Sequence, residues 1–496
     1  RQILNELGYL FDMMYKAKSR NVKTLNFSSV MNHDEHAKGL VNLNEQMNLN
    51  AHEVRELIIS FNNYLLTRLD HDFKRQHSSN FNITELKYQI EIKGNGESCP
   101  IYDKQSGSLF SLELITPPSN MLNKMSILVS PHSNKSQKLQ QSEHQHDINI
   151  FNIRKNVNIL TYLDYSTNQF KTIPCQQHQH SYPHSLEIRT GITHLPPVLV
   201  LNVNLTNEEF KIINNLKQWL VPEFYAVKSG GNTALNFKPT MPVSSSYTKY
   251  ELLGYVCEIS HQNDLSRTGA HNLVSFVKVK NEWIFFNDYL VTPIPKEEVF
   301  NLNSSWKKPV IVIYQESTMP GFEYMKSFTG NDSILYRDHF AGAIRESYKK
   351  EYKLLTRQEA PTVGTMVAID AEFVTMKPEQ LEISLNGAKK LIKPRELSLA
   401  RVSVLRGDNN SPRYGEAFID DYIVHTEPIY DYTTNFSGIE QDDLNFYKSS
   451  KNLVTLQTAY RKLWLLLNLG VIFIGHGLYT DFRTINLQVP QRQIRD

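Results

Sequence analysis

Two apolar segments near the C-terminus constrain the fold more than anything else in this chain. Val367-Ala368-Ile369-Asp370-Ala371-Glu372-Phe373-Val374 has the two-residue period of a β-strand, which puts Asp370 and Glu372 on one face. Val471-Ile472-Phe473-Ile474 reads as a buried strand. It runs through Gly475-His476-Gly477 into a helix that carries Asp481 in its first turn. Paired carboxylates on an apolar strand repel each other unless a cation lies between them. Hard oxygen donors of this kind suit Mg2+ or Mn2+. A carboxylate in the first turn of a helix is also favoured by the helix dipole. Asp370, Glu372 and Asp481 are therefore the candidate catalytic residues and metal ligands.

The chain has 496 residues, enough for two or more domains. Its three cysteines, Cys99, Cys175 and Cys257, are too few and too odd in number for a disulfide framework and point to a reducing, cytoplasmic compartment. The apolar stretch from Leu463 to Ile474 is too short to span a bilayer, so no membrane association is expected. No signal peptide is visible at Arg1, although a chain opening on Arg-Gln-Ile-Leu is expected to have begun earlier. A net charge of +2 does not by itself announce a nucleic-acid binder. A phosphodiester substrate would depend on local basic residues and bound metal ions more than on a broad positive field.

Residues 1–315 read as α then β. Helical spacing covers residues 1–20 and 52–69, and short strands with polar turns follow from about residue 86. Residues 130–150 look like a solvated loop. Strands resume at 195–203, 250–259, 273–279, 282–286 and 310–314. Residues 316–360, with a charged helical stretch from Ala341 to Leu355, form a connector. Residues 361–496 alternate strand and helix, as an α/β domain does. After the Asp370 strand, further strands are expected at 399–405 and 417–424. A loop at Phe436-Ser437-Gly438-Ile439 follows, and then a helix at about 453–467.

That order resembles the DEDD exonucleases, which share a ribonuclease H-like fold. Four segments carry a closer resemblance to the catalytic subunits of PAN poly(A)-specific deadenylases. They are Ala368–Val374, Ala400–Gly407, Phe418–Ile423, and the run from Gly475-His476-Gly477-Leu478 through Asp481-Phe482-Arg483 to Val489-Pro490. The resemblance implies that Asp370, Glu372 and Asp481 help hold two divalent ions, Mg2+ or Mn2+. It implies stepwise hydrolysis of mRNA poly(A) tails from the 3′ end, with release of 5′-AMP. It also implies a pseudokinase-containing regulatory subunit and poly(A)-binding protein as partners, with poly(A) RNA as substrate. The superfamily's fourth carboxylate, with a His before it as general base, is expected beyond Asp496. A polypeptide ending at Asp496 should by itself be a very poor nuclease. His476 is expected to brace the turn rather than act as that base.

Leu195–Leu199, Tyr250–Cys257, His271–Lys278 and Trp283–Asp288 resemble ubiquitin-specific proteases, an α+β papain-like fold. In that family a His and an Asn or Asp activate a Cys, and His271 and Asn287 occupy the matching positions. None of the three cysteines lies before the first helix, where the nucleophile belongs. The implied fold is a catalytically inactive ubiquitin-specific-protease-like domain (1–315), a connector (316–360) and an incomplete DEDD-type exonuclease domain (361–496). Cys175 to His180, with Cys99 upstream, lacks the paired thiols of a structural zinc site, so a polar loop is the better reading. The alternatives are a non-catalytic scaffold of an RNA-decay complex and a deubiquitinase.

Overall fold

The computed structural model describes the chain apart from residues 1–2, 18–21, 42–50, 77–82, 96–100, 119–156, 176–184, 214–215, 229–234, 244–245, 261–270, 289, 320–331, 342–349, 384–388 and 410. Its contacts divide it into two units, residues 31–321 and residues 1–30 with 322–496. The loop expected at 130–150 and the stretch from Gln176 to His180 lie outside the described residues, as does Cys99.

The first helix, α1 (Ile3–Lys16), forms where helical spacing predicts it. Division by sequence pattern placed this helix with the N-terminal domain, whereas its contacts belong to the C-terminal unit. The helices α2 (Leu25–His33), α3 (Glu35–Val41) and α4 (Ala51–Gln76) follow. The helix α4 runs past the expected residue 69, and Ile59 buries its apolar side against the strands around Val200 and Ile311.

Residues 31–321 hold two sheets. The smaller is antiparallel and contains β1 (Leu86–Asn95), β2 (Tyr102–Leu109), β4 (Asn168–Pro174) and β5 (Ser185–His194), in the order β2-β1-β5-β4. The short β3 (Leu112–Glu113) and the helix α5 (Ile159–Thr167) lie between β2 and β4 in sequence. Asn158 caps α5 by accepting from the Leu160 N–H. The larger sheet contains β3, β6 (Val198–Asn202), β7 (Glu223–Lys228), β8 (Leu235–Lys238), β9 (Tyr247–Ser260), β10 (His271–Val279), β11 (Glu282–Asn287), β12 (Leu290–Ile294) and β13 (Lys307–Glu316). Its main path is β12-β11-β10-β9-β13-β6-β3, and β9 also pairs with β7. The length of β9 allows this: residues 247–251 pair with β7 and residues 254–260 with β10. A Cβ on Gly254 would lie 2.6 Å from the Phe276 carbonyl oxygen, so the crossing needs glycine. Two short helices, α6 (Asn207–Ile212) and α7 (Lys296–Phe300), close the connections.

The other unit is built on a six-stranded sheet. Its strands are β14 (Met366–Lys377), β17 (Glu396–Arg406), β18 (Ala417–Val424), β19 (Leu453–Thr455), β20 (Ile472–Ile474) and β21 (Ile494–Arg495). The order is β19-β18-β17-β14-β20-β21. The first, second and third strands in sequence pair antiparallel, while β20 adds parallel to β14 and β21 parallel to β20. A separate hairpin, β15 (Gln380–Ile383) and β16 (Lys389–Lys393), joins β14 to β17. The helices are α8 (Thr434–Ser437), α9 (Leu456–Asn468) and α10 (Leu478–Ile485). The loop expected at 436–439 is in part the single turn of α8, closed by Gly438 at φ 64°.

Residues 350–355, the described end of the expected charged helix, are not helical. Tyr352 and Leu355 are buried, and the Lys353 N–H donates to the Ala417 carbonyl at 2.9 Å. Anchoring to the start of β18 thus replaces local helical hydrogen bonds.

The helix α1 joins this unit through specific contacts. The Tyr9 ring lies 5.0 Å from Trp464 and 5.6 Å from Tyr460, centroid to centroid. Asp12 accepts from Trp464 Nε1 at 2.7 Å and from Asn468 Nδ2 at 3.1 Å. Below the sheet, Lys462 of α9 donates to both oxygens of Asp421 in β18, at 2.8 and 3.0 Å. Asn452 donates to Asp421 at 2.9 Å, and both charged groups are buried. Removing one partner of such a pair leaves an uncompensated buried charge. Asp421→Ala is therefore expected to cost about 3–5 kcal/mol of stability, read as a lower urea midpoint for this unit.

Candidate active site

The strand β14 lies between β17 and β20, so whatever it displays is held from both sides. Register sets Asp370 opposite Ser403 and Glu372 opposite Arg401, and a bulge follows Glu372. Asp370 is exposed and Glu372 half-buried. The alternation read from sequence thus puts both carboxylates on one face. On the other side Ile474, the last residue of β20, pairs with Ala368. The chain leaves the sheet there, turns through Gly475–Gly477 and enters α10, which carries Asp481 half-buried in its first turn.

Glycine is required at the first position of that turn. A Cβ on Gly475 would meet the Ile369 carbonyl oxygen and Leu478 Cδ2, both at 2.6 Å. The backbone therefore passes directly over β14. Gly477 sits at φ 67°, and its N–H donates to Asp496 Oδ1 at 2.7 Å. Leu478, Phe482 and Ile485 bury the inner side of α10, with Phe482 edge-on to Phe473 at 5.3 Å.

Charge ties the three acidic residues together. Burial raises the Glu372 carboxyl above its ordinary range; Asp370 and Asp481 push it further up, and Arg401 opposes them. Burial also raises Asp481, to about 6, helped by Asp370 and Asp496 and opposed by His476. Asp370, Glu372 and Asp481 therefore form one repelling set, the situation that a bound cation relieves. Among the described residues, no three His, Cys, Asp or Glu side chains are drawn together closely enough to hold an ion unaided. The fit to a divalent metal lies in hard, mutually repelling oxygen donors rather than in a closed cage.

Three neighbours went unassigned in the sequence. Arg401, opposite Glu372, donates through Nε to Asp420 Oδ1 at 2.9 Å, and Ser403 donates to the same oxygen at 2.8 Å. Polar residues alternating through apolar strands were the available signal. Asp496 sits just after β21, and its carboxylate accepts from the Gly477 N–H. The segment after β18 folds back on β14: the Thr375 N–H donates to Asp431, and Thr433 Oγ1 donates to the Phe373 carbonyl at 2.9 Å. This brings α8 beside the strand that carries Glu372, and its Phe436 ring is 92% exposed. His476 is exposed in the turn.

In the other unit, His271 opens β10 and Asn287 closes β11, on neighbouring strands. Cys257 lies in β9 opposite Val274, fully buried, and burial pushes its thiol far up. It is a packing residue and no nucleophile.

The ubiquitin carboxyl-terminal hydrolase profile matches residues 1–291, and the exonuclease profile residues 367–496. The PAN2-PAN3 deadenylation complex catalytic subunit PAN2 of Lodderomyces elongisporus is 70% identical; the match covers 100% of this chain and 43% of that protein. The Saccharomyces cerevisiae PAN2 pseudoubiquitin-hydrolase-RNase module superposes with a TM-score of 0.76 at 30% identity, over 100% of this chain and 74% of that one. The chain belongs to the PAN2 family. The same yeast PAN2 module in complex with A7 RNA has a TM-score of 0.74 at 32% identity, over 100% of this chain and 74% of that one. The chain spans 43% of the length of the curated PAN2 relative just named. The PAN2 combination of a pseudoubiquitin hydrolase with an exonuclease is the fold pair expected from the sequence.

Gly475→Ala should force the turn away from Ile369 and move Asp481 relative to Asp370. A displacement of about 1 Å can cost up to about 100-fold in rate. We expect a comparable fall in RNA degradation by the full-length protein, together with a loss of about 1–3 kcal/mol of stability in its unfolding curve from the forced backbone shift.

Proposed function

We propose that this chain carries the catalytic part of a metal-dependent 3′→5′ exoribonuclease that shortens poly(A) tails and releases 5′-AMP. The observation that carries this reading is the placement of Asp370 and Glu372 on one face of β14 with the Gly475 turn, packed on Ile369, leading into the helix that bears Asp481. The family membership supports it, as do the RNA complexes solved for the yeast module.

Asp370, Glu372 and Asp481 would hold two divalent ions, Mg2+ or Mn2+. When bound, the metal supplies Lewis-acid stabilisation of the phosphoryl oxygens and lowers the pKa of a bound water. The protein's own part is orientation. The strand β14 holds Asp370 and Glu372 in register, and the Gly475 turn holds Asp481 over them. Arg401 places a positive charge beside Glu372 on the substrate side. The exposed Phe436 offers a stacking surface for a terminal base next to β14. The N-terminal unit serves as an inactive, protease-shaped platform: Cys257 is buried in packing, and none of the three cysteines stands at the position before the first helix where the nucleophile belongs. A pseudokinase-containing subunit, poly(A)-binding protein and a cytoplasmic setting complete the proposal. Among the described residues no helix is long and apolar enough to cross a membrane.

The test uses the full-length protein and RNA with an adenylate tail, labelled at either end, with Mg2+ and then EDTA. Stepwise Mg2+-dependent loss from the 3′ end is expected, and Asp370→Asn should abolish it. The same variant should weaken metal binding in calorimetry while keeping the wild-type melting curve. Unchanged turnover in Asp370→Asn would remove the assignment. Phe436→Ala should raise KM by roughly 5- to 150-fold, the worth of one base–aromatic stack of about 1–3 kcal/mol, with a smaller effect on kcat.

A further inference from the structure

The two innermost strands of the exonuclease sheet outrun the rest of it. β14 and β17 stay paired as far as Lys377 and Glu396, where an ion pair of 2.9 Å closes the ladder. The chain between them then forms the β15–β16 hairpin, and every residue in its two strands is exposed. A two-stranded ribbon gains little from standing alone in water.

Its positive charge lies on one strand. β16 reads Lys389-Lys390-Leu391-Ile392-Lys393, and β15 contributes one carboxylate, Glu382. Among the described residues, none of the three lysines has a carboxylate partner within ion-pair distance. Register sets Leu381 opposite Leu391 and Ile383 opposite Lys389, so one face of the ribbon carries three aliphatic side chains and Lys389. Glu382 lies opposite Lys390 on the other face. The lysines sit on an arm that continues directly from the strands bearing Glu372 and Arg401.

We infer that the β15–β16 hairpin is an RNA-binding arm: along the exposed strand β16, Lys389, Lys390 and Lys393, reaching from both of its faces, hold the phosphate backbone of the substrate upstream of the scissile bond. This rests on the exonuclease reading and adds to it a second point of substrate contact. The arm begins at most about 30 Å of extended chain from Glu372. A stacked strand rising about 3.4 Å per nucleotide covers that distance in roughly nine nucleotides. Short RNA therefore reaches only the carboxylates, whereas longer RNA engages both. Exposed lysines can be changed without loss of packing, so the fold is not at risk.

The experiment compares full-length wild type with the triple variant Lys389→Gln, Lys390→Gln, Lys393→Gln, using RNAs of about 4 and about 20 adenylates at several salt concentrations. Wild type should bind the longer RNA more tightly, and the variant should lose roughly tenfold of that length advantage. Its log-log salt slope on the longer RNA should fall by about 2, at about 0.7 per phosphate contact. The corresponding triple Arg variant should keep both. An unchanged length advantage and slope in the Gln variant would overturn the inference. So would retained RNA binding with loss of a bound protein, which would make the arm a protein-docking surface. If wild type degraded neither RNA, the exonuclease reading itself would fall and take the arm with it.

Discussion

The double pairing of β14 is the constraint on which the rest of the site depends. One strand carries two of the three acidic residues and is hydrogen-bonded to a different partner on each side. Antiparallel β17 brings Arg401 against Glu372, and parallel β20 delivers the turn that positions Asp481. Both carboxylates of β14 are fixed by register, and a slip of one residue would send them to the opposite face. The buried Asp421–Lys462 pair secures the next layer by tying α9 beneath β18.

Much of this was legible because its signals are local. The strand at 417–424 was read with the bounds observed, and period-2 alternation placed Asp370 and Glu372 on one face. The strand–turn–helix around Asp481 needed only an apolar run, two glycines and a helical repeat. Non-local facts were not legible. Tyr352 and Leu355 have helical spacing, yet they serve as anchors to another strand, and no local rule reports that. The exposure of Phe436 depends on backbone hydrogen bonds to β14 from residues far away in sequence. The role of Arg401 emerges only when three strands are aligned.

In the N-terminal unit the buried thiol serves packing. The long β9 spans β7, β10 and β13, and its Cys257 lies among the packed strands. A thiol there stabilises as a small hydrophobe, and burial that favours packing removes the ionised form that acyl transfer requires. In the other unit the relation is reversed. Burial and the neighbouring Asp370 raise the Glu372 and Asp481 carboxyls, so this stretch of sheet holds repelling charge of the kind a divalent cation would relieve.

The placement of α1 has a consequence for how the protein is made. Asp12 hydrogen-bonds Trp464 and Asn468 across more than 450 positions of sequence. Translation at about 5–20 residues per second separates the emergence of these groups by roughly 20 to 90 s. During that interval the apolar side of the first helix has no native surface to cover, although residues 31–321 can already condense. The exonuclease half is thus completed by a helix synthesised about 450 residues before its partners. The first helix is kept waiting, and a chaperone that shields exposed amphipathic helices would find its target there.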